Sequence, residues 1–124
     1  GMSGSKLLLD TNILLYLLAG DQTLVDILQG KNIYISFITE LELLSFKNLD
    51  PSDKEEIEEL LSQCIIVDIN SGIKKDTIQI RQAYGLKLPD AIIAATSQYL
   101  DIPLLSADKA FGKVHSLSLV HYEK

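Results

Sequence analysis

Four acidic residues stand where chemistry is easiest to build. Asp10 closes the apolar run Leu7-Leu8-Leu9, and Asp108 follows Leu104-Leu105-Ser106-Ala107. Asp90 comes directly after Pro89 at the start of a helical pattern, and Glu42 lies on a helical stretch that begins near Ser36. Taken singly, an Asp beside a helix start also reads as a cap, a contact that stabilises by about 1 kcal/mol. Carboxylates brought together without counter-ions repel strongly. A hard divalent cation relieves that repulsion, and oxygen-only donor sets suit Mg²⁺ or Mn²⁺.

Glu40 and Glu42 are two residues apart, about 200° around a helix, so only one of them can face a shared site. Glu42 has Ile38 and Phe46 four residues to either side and points inward; Glu40 is expected to be solvated. Asp53, Glu55, Glu56, Glu58 and Glu59 read as the wetted face of one helix. Asp68, at the end of a third apolar run, competes for a place in the site, or is a turn residue before Asn70 and Ser71. Lys87 is placed to reach a phosphate or is a plain surface lysine, and Arg81 either contacts nucleic acid or lies along its helix.

Composition narrows the chemistry. The 124 residues carry 17 acids against 11 bases, a net charge of −6, with a single arginine. That balance argues against a broad basic nucleic-acid surface, though not against a nucleic-acid enzyme whose acids are gathered around metal. One cysteine, Cys64, permits no internal disulfide and no cysteine-based zinc site, and neither histidine has metal-ligand spacing. The longest apolar run, Ile13 to Ala19, falls well short of the roughly 20 residues of a membrane span. Hydrophobic residues at 47% fit one globular domain over residues 2–124, in a cytoplasmic setting. Gly1 before Met2 reads as a tag remnant.

The elements needed to position these acids can be traced along the chain. Lys6–Leu9 reads as a strand buried on both faces, 33–35, 65–67 and 103–105 as three further strands, and 117–120 as a candidate fifth strand at the edge. Helices are expected over 13–18, 21–29, 36–46, from Pro51 onward, over 71–84 and 91–100, with a short one near 108–112. Gly20, Gly30 and Gly85 close helices. The outcome is a three-layer α/β/α sandwich with a mainly parallel sheet of four to five strands. In such sheets sites form beyond the carboxyl ends of the strands.

Four segments resemble the motifs of PIN domains, in order and over nearly the whole chain. They are Leu7-Leu8-Leu9-Asp10-Thr11-Asn12, Ile35 to Leu44 with Ser36, Thr39 and Glu42, Leu88 to Thr96 with Asp90, and Leu104 to Phe111 with Asp108. Ser106 stands where Thr is usual. Length and motif style resemble the VapC-type toxins of prokaryotic toxin–antitoxin pairs. The resemblance implies a metal-dependent endoribonuclease whose products end in 5′-phosphate and 3′-hydroxyl. Asp10, Glu42, Asp90 and Asp108 would hold one or two Mg²⁺ or Mn²⁺ ions, with Thr11, Asn12 and Ser106 orienting ligands or water. It also implies an antitoxin partner and a homodimer. Many relatives carry a further acid where this chain has Ala110, which bears on the second ion. The rival readings are a PIN-fold module that binds without cutting, and a phosphatase or phosphotransfer domain centred on Asp10 and Asp68. Finally, Ile13 to Leu18 is apolar all the way round a helix, so it is either buried by its own chain or covered by a partner.

Overall fold

The computed structural model describes residues 5–124; the expectations for Gly1 and Met2 lie outside them. Five strands, β1 (Lys6–Leu9), β2 (Asn32–Ser36), β3 (Ile65–Val67), β4 (Leu104–Ser106) and β5 (Leu119–His121), form one sheet in the order β3-β2-β1-β4-β5. Every neighbouring pair is parallel. Six helices complete the chain: α1 (Thr11–Leu18), α2 (Gln22–Leu28), α3 (Phe37–Leu44), α4 (Pro51–Ser62), α5 (Ser71–Tyr84) and α6 (Leu88–Leu100). A 3₁₀ turn (Lys109–Lys113) precedes β5.

The central strand β1 explains the layering. Its side chains alternate, so Leu8 enters one core and Leu7 and Leu9 enter the other. Leu8 packs with Ile73 and Ile80 of α5, Ile93 of α6, Leu104 and Phe111. Leu7 and Leu9 pack with Ile13 and Leu14 of α1, Leu24, Ile35, Leu43, Ile57 and Leu61. Helices therefore cover both faces, as an all-parallel sheet requires. The chain runs from β1 outward through β2 to β3, then returns to β4 on the opposite side of β1. Strand order thus reverses between β1 and β4, the place where parallel sheets open a crevice for ligands.

Several boundaries differ from the sequence expectation, for local reasons. Helix α1 begins at Thr11 because Asp10 caps it, its side chain accepting from the Thr11 N–H. Helix α3 ends at Leu44 rather than Phe46. There the Ser45 hydroxyl donates to the Leu41 carbonyl, and Asn48 at φ 64° turns the backbone left-handed. Helix α6 starts early, at Leu88, with Pro89 in its first turn, where a missing N–H costs nothing. Strand β5 is shifted to Leu119–His121 by its register, which pairs Ser106 with His121.

Helix α1 is covered largely by its own chain. Ile13 and Leu14 are buried, and Leu15 to Leu18 are half-buried. The C-terminal tail supplies part of the cover. The Tyr122 ring lies 6.3 Å from that of Tyr16, and its hydroxyl donates to Asp21. The Lys124 ammonium sits 4.4 Å from the Tyr16 ring centre. Ile13 and Leu14 are thus covered by the chain itself, while Leu15 to Leu18 keep part of their surface open. Among the described residues no helix is long and apolar enough to cross a membrane.

Gly85 closes α5 in the left-handed conformation at φ 68°, its N–H bonded to the Arg81 carbonyl. Gly85→Ala should lower stability by about 1 kcal/mol in urea denaturation, because a Cβ is disfavoured there.

Candidate metal and phosphodiester site

The carboxyl ends of β1 and β4 meet Thr11, Asn12 and Leu15 of α1, the far end of α3 and the start of α6. Together they border a cleft of about 370 Å³. Asp10, Glu42, Asp90 and Asp108 all line it. Glu40 is not part of this lining, in line with the helix-face reading of Glu42 against Glu40.

Asp10 is the most constrained of the four, at 4% exposed. The β1–β4 register sets it beside Ser106, and its N–H bonds the Leu105 carbonyl. One carboxylate oxygen accepts from the Thr11 N–H at 2.8 Å, the other from the Ser106 hydroxyl at 2.7 Å. Ser106 in turn accepts from the Asp108 N–H at 2.9 Å, so one hydroxyl ties the ends of β1 and β4 together. Serine supplies all that this geometry asks of the usual threonine. Asp108 is held by the Ala110 N–H, which donates to it at 2.9 Å. The Ala110 backbone, at the position of the missing extra acid, thus still anchors the fourth carboxylate.

Glu42 is fixed through α1. The Thr11 hydroxyl donates to it at 2.7 Å and lies 2.9 Å from the Thr39 hydroxyl. A carboxylate only accepts, so the single Thr11 hydrogen goes to Glu42 and Thr39 must donate to Thr11. Thr39 is fully buried and stands three residues before Glu42 on α3, on nearly the same face. The sequence motif contains Thr39 but gives no hint of this relay, which depends on α1 meeting α3.

The acids feel one another. Burial pushes the Asp10 carboxyl above its ordinary range; the Ser106 and Thr11 bonds oppose that, and Asp90 and Asp108 add repulsion. Burial also raises Asp90, with further repulsion from Asp108 and Glu42 and partial relief from Lys87. No other titratable group on the cleft carries a positive charge. Among the described residues no three His, Cys, Asp or Glu side chains form a ready-made metal cage. The donor set still suits a hard cation: four carboxylates on one cleft, two of them disfavouring their charge. Mg²⁺ in particular keeps several waters rather than demanding a full shell of protein ligands.

The remaining sequence candidates separate cleanly. Thr11, Asn12 and Lys87 border the cleft. Arg81 does not; its Nε donates to the Leu86 carbonyl at 3.3 Å. Asp68 is exposed beyond the edge strand β3, two strands from β1. A second cavity, lined by Leu14, Val25, Leu60 and Cys64 among others, is mostly apolar. Burial pushes the Cys64 thiol up to about 11, which leaves it inert as a nucleophile near neutral pH. Phe46 also borders the carboxylate cleft. Sequence reasoning used it only as an apolar neighbour of Glu42.

A parallel α/β sandwich with four carboxylates on a cleft at its strand-order reversal defines the class of fold to which the chain belongs. Within it the chain belongs to the PIN domain family, whose model matches residues 7–117. A chain of a toxin–antitoxin complex from Klebsiella pneumoniae is similar at 32% identity and a TM-score of 0.80. The match covers 94% of this chain and 98% of that one. VapBC2 from Rickettsia felis, bound to a promoter DNA fragment, shares the fold at 19% identity and a TM-score of 0.85, covering 95% and 99%. VapBC-1 from nontypeable Haemophilus influenzae does so at 22% and 0.78, covering 96% and 99%. Among curated proteins, none matches the chain.

Two outcomes test the site's energetics. The folded chain holds the Asp90 proton more tightly than the unfolded one. Burial of the Asp90 charge, and after it the repulsion from Asp108 and Glu42, therefore destabilises the metal-free protein above the raised pKa, an effect that fades as pH falls toward the ordinary 3.8. Asp90→Asn should raise the metal-free melting temperature at neutral pH, with a gain that shrinks on acidification. Thr39→Val should cost about 1 kcal/mol, because the Thr11 oxygen loses its buried donor.

Proposed function

We propose that this chain is a metal-dependent endoribonuclease, the toxin half of a toxin–antitoxin pair. The observation that carries the reading is the gathering of Asp10, Glu42, Asp90 and Asp108 on one cleft of a PIN-family chain. The similar chain from Klebsiella pneumoniae, found in a toxin–antitoxin complex, supports the biological half. An antitoxin and a second copy of the chain are its proposed protein partners, and the cytoplasm its proposed location.

In this reading the four carboxylates hold one or two Mg²⁺ or Mn²⁺ ions, partly through water. A bound divalent ion supplies charge neutralisation at the phosphate and a more acidic water at neutral pH. The chain's own residues prepare that site. Ser106 and the Thr11 N–H keep Asp10 oriented, against the tendency of burial to neutralise it. Thr11, itself fed by Thr39, fixes the Glu42 carboxylate. Lys87 stands on the cleft to meet a backbone phosphate. No serine or cysteine lines the cleft as a nucleophile, and by resemblance to the PIN family the attack on phosphorus is assigned to water rather than to the RNA 2′-hydroxyl, its proton passing to solvent and the departing oxygen taking one up. The bond to the 3′ oxygen then breaks, leaving a 5′-phosphate and a 3′-hydroxyl. A phosphotransfer site built on Asp10 and Asp68 lacks its second carboxylate on this cleft.

Purified protein should cut mixed single-stranded RNA in Mg²⁺ or Mn²⁺ and stop on chelation. Asp10→Asn should abolish nearly all cleavage while the fold persists; Asp68→Asn should leave it intact. Wild-type cleavage by Asp10→Asn, or cleavage undiminished by chelator, would overturn the assignment. The same cations should raise the melting temperature at neutral pH, since they bind the folded state alone.

A further inference from the structure

We infer that Phe46 is a stacking platform for an unpaired nucleobase next to the phosphate that is cut. The inference rests on the ribonuclease reading above and concerns how a strongly acidic cleft holds an anionic chain. Phosphate contacts ordinarily supply most of the affinity for RNA, through several lysines and arginines. Here, among the described residues, Lys87 is the only cation bordering the cleft, facing four carboxylates. The protein's net charge of −6 adds no general attraction. Beyond the charge that bound ions would neutralise at the phosphate, affinity then draws on contacts that do not depend on charge, and stacking of a base on an aromatic ring is one of these.

Phe46 is the one aromatic side chain on the cleft, and it is 44% exposed. Its place is set by the same segment that sets Glu42. Helix α3 ends at Leu44, Ser45 closes it, and the left-handed Asn48 fixes the turn that follows. Phe46 and Glu42 border the same cleft, so a base lying on the ring would belong to a nucleotide close to the phosphate held there. The other two phenylalanines are unavailable: Phe111 is 1% exposed in the core, and Phe37 is half-buried at the start of α3. A base can lie on Phe46 only if it has left its own stack, so the site selects unpaired nucleotides over duplex.

The test uses the full chain carrying Asp90→Asn, so that RNA is bound without turnover. Its ligand is a short unstructured oligoribonucleotide containing 2-aminopurine, with a fully paired duplex as comparison. Phe46→Ala and Phe46→Leu should each weaken single-strand binding about tenfold and remove the quenching of 2-aminopurine, while Phe46→Trp restores both. Duplex binding should not change, and melting temperatures should stay close to the parent because the ring is exposed. Single-strand binding unchanged in Phe46→Ala, or restored equally by Leu, overturns the stacking role but leaves the nuclease reading standing. Lost self-association with RNA binding unchanged would assign Phe46 to a protein interface instead. A parent that neither binds nor, without Asp90→Asn, cuts RNA overturns the nuclease reading itself, and the inference with it.

Discussion

The structure turns on a buried carboxylate. Asp10 sits at the end of the central strand with almost no access to water, where its charge is disfavoured by burial and by two neighbouring acids. It is kept usable by two donors of different origin, a backbone N–H from its own helix and a hydroxyl from a strand at the other end of the chain. Much of the architecture serves that arrangement. The parallel β1–β4 pairing brings Ser106 alongside, and α1 must start at Thr11 for the N–H to point at the carboxylate. A helix N-terminus also carries partial positive charge, which favours an anion there.

The other three acids are fixed less tightly, each by a different element. Glu42 depends on the packing of α1 against α3, through Thr11 and Thr39. Asp108 depends on the 3₁₀ turn after β4. Asp90 rides on the first turn of α6 and has no hydrogen-bond partner of comparable strength; its neighbours chiefly repel it. The result is a graded site, rigid at Asp10 and softer at Asp90. In the proposed function such grading would suit a cleft that accepts ions, with their water, and a flexible polymer. It also places the electrostatic strain on the two aspartates, where a cation relieves it most.

Much of this was legible from residues alone because the signals are local. The apolar run Leu7-Leu8-Leu9 has no polar face and becomes the strand covered on both sides; Ile65-Ile66-Val67 reads equally as a strand, but at the sheet edge Ile65 stays half exposed. The acids stand at strand ends and helix starts, and a parallel sheet brings those ends to one edge. The choice of Glu42 over Glu40 follows from helix geometry within one element. What was not legible depends on contacts between distant elements. Thr39 matters only because α3 meets α1, 28 residues away in sequence. Phe46 borders the cleft from the turn after α3, whose end at Leu44 the apolar pattern does not show. The cover over α1 comes partly from Tyr122 and Lys124, which no periodicity in α1 could reveal. Arg81 shows the converse: its type suits nucleic acid, but a backbone carbonyl holds it elsewhere.

The Ser106–Asp10 bond spans 96 residues, and this has a consequence for the chain as it is made. A ribosome delivers Asp10 near the beginning and Ser106 and Asp108 near the end. Until β4 has emerged and paired, β1 lacks one neighbour, its terminal carboxylate lacks one of two donors, and the fourth acid is absent. A chain interrupted anywhere before β4 therefore carries at most three of the acids, without the framework that aligns them. The carboxylate cleft is therefore assembled only after β4 has been made and has paired with β1, however early the first acid is laid down.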